Sequence, residues 1–172
     1  MAVRPTSDRL RETLFNVLAH AYDDPVADAR VIDLFAGAGG LGLEAMSRGA
    51  RFALFVDDGS EARALLRGNV EALGLGGATK IFRRDATRLG AMPPQEPFTL
   101  AFLDPPYGKG LAPLALASMG KGGWLVEGAL CLIEESAAAE MALPEGFELI
   151  EKRDYGETSV WFATWKSGSP LA

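Results

Sequence analysis

The chain has 172 residues, of which 48% are hydrophobic and 23% charged, and its formal net charge is −6. This length suits one domain with a sizeable core, and no apolar run is long enough to span a bilayer. One cysteine, Cys131, and one histidine, His20, exclude an internal disulfide and a Cys/His zinc site. We therefore expect one domain over residues 1–172, no metal and no membrane segment.

The amino-terminal segment, residues 1–22, is predicted to be helical. Pro5 does not fit inside a preceding helix, Thr6 or Ser7 can cap the first amides, and apolar residues follow at helical spacing from Leu10 to Leu18. This start resembles no signal peptide, so the cytoplasm is the expected compartment. The segment also carries a basic patch that is either a solvated helix face or a contact for nucleic-acid phosphates. The patch consists of Arg4, Arg9 and Arg11.

A glycine-rich stretch from Val31 to Gly42 predicts a strand, a tight loop and a helix that begins near Leu41. Glycine at 37, 39 and 42 has the spacing with which dinucleotide folds hold a pyrophosphate, and a plain strand-to-helix turn is the alternative. Asp33 precedes the loop, and a carboxylate at its mouth would repel a pyrophosphate. It favours a ligand with positive charge, such as the ammonium and sulfonium of S-adenosylmethionine.

Two further acids follow predicted strands. Phe52–Val56 is an apolar run that ends at Asp57, and an acid at the end of the second strand is where nucleotide-binding folds hold a ribose diol. Asp58 fits a turn better, because it precedes a glycine. Ser60 is predicted to cap the next helix. Asp85, after a third strand over 79–83, can accept a hydrogen bond from the adenine amine or start a loop.

The second informative stretch is Asp104-Pro105-Pro106-Tyr107, directly after a predicted fourth strand over 98–103. Two prolines fix φ twice and remove two amide donors, which leaves carbonyl oxygens to accept. The Asp104 carboxylate and the Pro105 carbonyl can both accept hydrogen bonds from one NH2 group, while Tyr107 stacks on the base. Two such acceptors localise the lone pair of a planar amine, so its methylation needs no histidine.

The remaining elements are predicted from apolar runs and breakers. We expect a helix over 111–119, a fifth strand over 129–134 that begins after Gly128, and a loop over 136–144 with a helical turn. Runs over 147–155 and 159–165, joined by a short link, predict an antiparallel hairpin. Residues 166–172 are expected to fray.

With these pieces, the chain resembles class I S-adenosylmethionine-dependent methyltransferases. The resemblance implies a Rossmann-like α/β fold, with a seven-stranded, mostly parallel sheet, an antiparallel carboxyl-terminal hairpin and helices on both faces. More closely, the chain resembles the RsmD family, which methylates guanine N2 in 16S ribosomal RNA. The motifs that carry this likeness are residues 4–12 with Phe15-Asn16, residues 33–45, and residues 104–107.

The RsmD resemblance implies roles for individual residues and a partner. The partner is ribosomal RNA or the small-subunit particle, and we expect the protein to act on it as a monomer. RNA contacts fall to the basic patch of Arg4, Arg9 and Arg11. The implied catalytic set is Asp104, Pro105, Pro106 and Tyr107. The implied S-adenosyl-L-methionine contacts are Asp33, Phe35, Gly37, Gly39, Asp57, Asp85 and Ala86.

Three alternatives stay open at this point. A DNA adenine or cytosine amine methyltransferase shares the Asp104–Tyr107 chemistry, but 172 residues hold no obvious target-recognition domain. A non-catalytic module that binds S-adenosylmethionine or RNA would not need the acceptors at Asp104 and Pro105. An NAD-type oxidoreductase is disfavoured by Asp33 and by the two prolines.

Overall fold

A computed structural model describes residues 7–167, and a single seven-stranded sheet runs through it. The strand order is β3-β2-β1-β4-β5-β7-β6, and β1 to β5 are parallel while β7 runs antiparallel to both of its neighbours. The strands are β1 (Arg30–Leu34), β2 (Phe52–Val56), β3 (Thr79–Phe82), β4 (Phe98–Leu103), β5 (Leu125–Ser136), β6 (Phe147–Tyr155) and β7 (Thr158–Trp165). The predicted fold class is confirmed.

Helices cover both faces of the sheet. They are α1 (Asp8–Ala21), α2 (Gly40–Ser47), α3 (Ser60–Ala72) and α4 (Leu111–Lys121), with short 3-10 turns at Gly76–Ala78 and Ala86–Arg88. The first three helices pack on one face, where Leu14, Leu43 and Leu66 join the core around Phe55. Helix α4 packs on the other face, where Leu116 joins a second core. Burial on both faces explains why the central strands are continuous apolar runs.

Helix α1 begins as the sequence predicts. Ser7 is its N-cap, and the Ser7 Oγ accepts a hydrogen bond from the Leu10 backbone N–H at 3.1 Å. Leu14, Phe15 and Leu18 are the side chains that it buries. This arrangement fixes the first turn of α1 at the rim of the sheet, close to the carboxyl end of β5.

The structure corrects several predicted boundaries. β5 begins at Leu125, not after Gly128, because it passes through an irregularity in which Phe98 pairs with Leu125 and Leu100 with Leu130. The N-cap of α3 is Gly59 without a side-chain hydrogen bond, so Ser60 does not cap this helix.

The structure also differs from the predictions for the loop over 136–144 and for the start of the carboxyl-terminal tail. The segment 137–144 contains a turn but no helical turn. Fraying does not begin at residue 166, because the Lys166 N–H donates to the Gly146 carbonyl at 2.7 Å and the Ser167 N–H to Glu127 Oε1 at 2.7 Å. The rest of the predicted tail lies outside the described residues.

Candidate active site

The site lies at the carboxyl edge of the parallel strands, where the order changes direction between β1 and β4. Asp33 of β1 pairs in register with Phe55 on one side and with Phe102 on the other. Asp57 follows β2, and Asp104 follows β4. Ligands in such sheets bind outside the carboxyl ends at this switch point, so the fold brings three predicted acids to the expected place.

Asp33 lies beneath the glycine loop and not at its mouth. Its side chain is buried, and its Oδ2 accepts a hydrogen bond from the Gly42 N–H at 3.0 Å. Burial raises the pKa of Asp33 well above its usual range, and the negative charges of Asp104 and Asp57 raise it further. The sequence predicts this carboxylate at the mouth of the loop, where it repels a pyrophosphate and attracts a positively charged ligand, whereas in the structure it joins β1 to the start of α2.

Asp57 holds the glycine loop from the neighbouring strand. Its Oδ2 accepts from the Gly37 N–H at 2.9 Å, and its Oδ1 accepts from the Gly59 N–H at 2.8 Å. Phe35 opens the loop with a φ of +60°, a left-handed conformation that is unusual for a bulky residue. Such strain persists only where the surroundings hold it, and it is concentrated at ligand sites.

A cavity of about 290 Å³ opens beside this loop. Of the residues predicted to contact the cofactor, Phe35, Asp57, Asp85 and Ala86 line the cavity, whereas Gly37 and Gly39 are not among its lining residues. Pro106, which was predicted to be catalytic, lines it as well. Sequence reasoning missed the remaining lining residues, which are Val56, Asp58, Arg84, Thr87 and Leu111.

Asp85 starts a loop, which is one of the two roles that the sequence left open, and it also lines the cavity. Its Oδ1 accepts hydrogen bonds from the Thr87 N–H at 2.8 Å and from the Thr87 hydroxyl at 2.7 Å, which starts the 3-10 turn at Ala86–Arg88. These hydrogen bonds lower the pKa of Asp85, so it stays ionised at the edge of the cavity.

The Asp104–Tyr107 turn leaves β4 between this cavity and a second one. Pro105 is buried, while Pro106 lines the first cavity. Tyr107 points the other way: its hydroxyl donates to Glu134 Oε2 at 2.8 Å and lies 3.0 Å from Thr158 Oγ1. Burial raises the pKa of Tyr107, and the nearby Glu134 and Asp104 charges add to this effect, so the phenol stays protonated.

The second cavity has a volume of about 590 Å³ and lies between the start of α1, the end of β5 and the β6–β7 turn. Its lining residues are Ser7, Arg9, Leu10, Thr13, Glu134, Tyr155, Glu157 and Thr158. Sequence reasoning missed all of them except Arg9. One signal was available for Glu134, because it ends the fifth strand predicted over 129–134, whose carboxyl end lies at the same edge of the sheet.

The structure separates the predicted basic patch. Arg9 lines the second cavity. Arg11 instead joins α1 to α2, because its guanidinium lies 3.1 Å from Asp8 Oδ1 and 3.4 Å from Glu44 Oε1. Arg9 and Arg11 are two positions apart on α1, so their side chains point to different sides of the helix. Arg4 lies outside the described residues.

Comparison with known proteins gives this site a family. A family model described as "Conserved hypothetical protein 95", the model of the RsmD family, matches residues 1–164. The chain belongs to the RsmD family. Ribosomal RNA small subunit methyltransferase D of Escherichia coli K12 is 37% identical over 143 residues, which cover 83% of this chain and 68% of that protein. The putative rRNA methyltransferase YlbH of Bacillus subtilis is 33% identical over 162 residues, which cover 92% and 86%.

Solved structures share the fold of this chain. A putative methyltransferase, yhhF, from Escherichia coli superposes with a TM-score of 0.81 at 28% identity, over 98% of this chain and 92% of that one. An RNA methyltransferase from Salinibacter ruber, in complex with S-adenosyl-L-homocysteine, gives a TM-score of 0.71 and covers 98% of both chains. At 13% identity, this second likeness shows the fold alone.

As an RsmD-family member, the chain is a class I methyltransferase that uses S-adenosyl-L-methionine, as predicted. The residues around the first cavity fit this cofactor. Carboxylates of Asp57, Asp58 and Asp85 offer acceptors to hydroxyls and an amine, and apolar side chains such as Phe35 offer a surface to a flat ring. The mutual repulsion among the strand-end acids also favours a ligand that carries positive charge.

Within residues 7–167, no group of three or more His, Cys, Asp or Glu side chains is placed to hold a metal ion. In the same residues, no helix has the length and apolar character that a membrane crossing requires.

Proposed function

We propose that this RsmD-family chain methylates the exocyclic amine of guanine, N2, in 16S ribosomal RNA. The observation that carries the proposal is the position of the Asp104–Tyr107 turn between two cavities. Pro106 lines the smaller cavity, and the hydroxyl of Tyr107 reaches Glu134 and Thr158 on the wall of the larger one. We therefore assign the smaller cavity to the methyl donor and the larger one to the acceptor base, with the turn between them holding the amine.

On the donor side, the chain's acids and its glycine loop hold the cofactor. Asp57 is proposed to accept hydrogen bonds from the ribose hydroxyls, because each of its oxygens keeps acceptor capacity beyond the Gly37 and Gly59 amides. Asp85 is proposed to accept from the adenine amine through its other oxygen, since Oδ1 serves Thr87. When bound, S-adenosyl-L-methionine supplies an electrophilic methyl group.

The rest of the donor set shapes the pocket. Phe35 and Ala86 are proposed to pack on the adenine, and both line the smaller cavity. Gly37 and Gly39 are proposed to let the loop backbone approach the donor, and both have positive φ. Asp33 is proposed to act from below, through the hydrogen bond that fixes the start of α2.

On the acceptor side, Asp104 and Pro105 act on the amine. The Asp104 carboxylate and the Pro105 carbonyl accept one hydrogen bond each from the NH2 group, which removes its lone pair from conjugation with the ring. Tyr107 stacks on the base and keeps the amine between these acceptors. Positioning of this kind lowers the barrier because the reacting atoms are aligned before the reaction.

Asp104 also accounts for the proton. Once the nitrogen has gained a methyl group it holds one proton too many, and the Asp104 carboxylate already accepts a hydrogen bond from one of its N–H groups. Transfer of that proton to Asp104 leaves a neutral methylated amine. No histidine is required, which agrees with a single exposed His20 near the end of α1.

On the RNA side, two observations support ribosomal RNA. The relatives at 37% and 33% identity are named as ribosomal RNA methyltransferases. The larger cavity carries Arg9 at its rim, where a phosphate of the substrate can bind. Arg4 is proposed as a second phosphate contact, whereas Arg11 forms ion pairs with Asp8 and Glu44 instead.

The test is incubation with tritiated S-adenosyl-L-methionine and small-subunit particles or RNA from an Escherichia coli strain that lacks its methyltransferase D. Nucleoside analysis should place the label in N2-methylguanosine. Label in N6-methyladenosine would replace guanine by adenine as the target. Cofactor binding without label in any nucleoside would refute the proposal and favour a binding module.

A pair of variants separates the two halves of the site. Asp104→Ala should abolish methylation, while the dissociation constant of the cofactor, measured by calorimetry, changes by less than about threefold. Asp57→Ala should instead weaken cofactor binding, because it loses the ribose acceptor and releases the Gly37 amide. If Asp104→Ala weakens cofactor binding as much as Asp57→Ala does, Asp104 belongs to the donor site.

A further inference from the structure

The hydroxyl of Tyr107 is held at its tip by two strands that are distant in sequence. Glu134 Oε2, near the end of β5, accepts a hydrogen bond from the Tyr107 hydroxyl at 2.8 Å, and Thr158 Oγ1, at the start of β7, lies 3.0 Å from the same hydroxyl. A phenol has one proton, and a carboxylate can only accept. Because Tyr107 donates to Glu134, the hydroxyl of Thr158 donates to the phenol oxygen, and the three groups form one directed chain.

Both partners are firmly placed. Glu134 is 5% exposed, and Thr158 is also 5% exposed. β5 and β7 are paired antiparallel, with Glu134 opposite Val160 and Ser136 opposite Thr158, so the two groups approach from adjacent strands. The backbone behind the ring is held as well, because the Gly108 N–H donates to Glu135 Oε1 at 3.0 Å.

We propose that Glu134 and Thr158, which line the larger cavity, are positioning residues that fix the Tyr107 ring beside it, ready to stack on the base. The inference rests on the proposed function, in which Tyr107 contacts the substrate base. Since Asp104 and Tyr107 belong to one turn, a fixed ring also fixes the base relative to the acceptors of its amine. A free ring would have to be ordered in each turnover.

The test uses variants that keep or remove one hydrogen bond each. Tyr107→Phe keeps the ring without its hydroxyl, and Thr158→Val keeps the shape without its donor. Both should lower the single-turnover methylation rate at saturating RNA about 3- to 10-fold, the factor expected when one side chain must be ordered. RNA affinity should change less than about twofold, because phosphate contacts dominate it.

Conservative substitutions of Thr158 and Glu134 serve as controls. Thr158→Ser keeps a hydroxyl, and Glu134→Gln keeps an acceptor oxygen, so both should retain the wild-type rate within about twofold. The double variant Tyr107→Phe with Thr158→Val should be no slower than Tyr107→Phe alone, because both changes remove the same tether.

Three results would overturn the inference. A wild-type rate in Tyr107→Phe would show that the tether has no function, and a multiplicative loss in the double variant would show that Thr158 acts independently of Tyr107. Loss of rate in Thr158→Ser equal to that in Thr158→Val would assign the effect to packing. If the wild-type chain itself labels no nucleoside, the proposed function fails first and this inference fails with it.

Discussion

Gly42→Ala is expected to destabilise the protein, although alanine is the better helix former. A Cβ at position 42 would lie 2.4 Å from Phe55 Cε1, 2.9 Å from Phe55 Cζ and 3.0 Å from Asp33 Oδ2. Relief of such overpacking costs about 1–3 kcal/mol. The added methyl group also strains the hydrogen bond between the Gly42 N–H and the buried Asp33. This strain offsets the gain in helix propensity from glycine to alanine, which is about 0.5–1 kcal/mol. The net loss is about 1–3 kcal/mol, or a melting temperature lower by roughly 2–12 °C.

The matched control is Gly68→Ala in α3. Gly68 is exposed, and a Cβ there meets nothing within 4 Å. The same substitution should therefore stabilise the protein by up to about 1 kcal/mol. Thermal unfolding followed by circular dichroism measures both variants. A melting temperature of Gly42→Ala at or above that of the wild type would refute the idea that the start of α2 requires glycine for its packing on β2.

Two further predictions concern charge. Burial raises the pKa of Asp33 well above its ordinary 3.8, so the folded state binds this proton more tightly than the unfolded state does. Stability therefore falls as the pH rises from about 3.8 to the raised pKa of the folded state. Asp33→Asn should thus melt higher than the wild type at neutral pH and lose this advantage towards pH 4; parallel pH profiles would contradict this assignment. Arg9→Gln should weaken RNA binding and reduce the slope of log affinity against log salt by about 1. Arg11→Gln, which breaks the Arg11–Glu44 ion pair between α1 and α2, should lower stability and leave that slope unchanged, and equal slopes in the two variants would refute the distinction.

Much of the sheet could be predicted because each central strand is an apolar run with a clear end. The predicted bounds of β2 and β4 agree with the structure, and the short link after Tyr155 gave the hairpin of β6 and β7. The predicted start of β5 was wrong because a glycine in a sequence usually marks the end of a strand. In the structure Gly128 lies inside β5 with a φ of +80°.

The site was predictable where an acid or a proline follows a strand, and not where a contact joins distant segments. Asp57 and Asp85 could be placed beside a cavity from their positions alone. The burial of the Asp33 side chain depends on how closely α2 approaches β2, and the sequence of β1 alone does not show this. The contacts of Tyr107 depend on β5 and β7 lying beside β4, which is a property of the whole sheet order.

Helix α1 belongs to the core and to the wall of the larger cavity at once. Leu14 and Phe15 are buried against the sheet, while Ser7 and Arg9 line the larger cavity. Substrate that binds along this wall therefore contacts a helix whose folding also completes the core. Binding to this cavity and the folding of α1 are thermodynamically linked, and occupancy of the cavity stabilises the first turns of α1 against local unfolding.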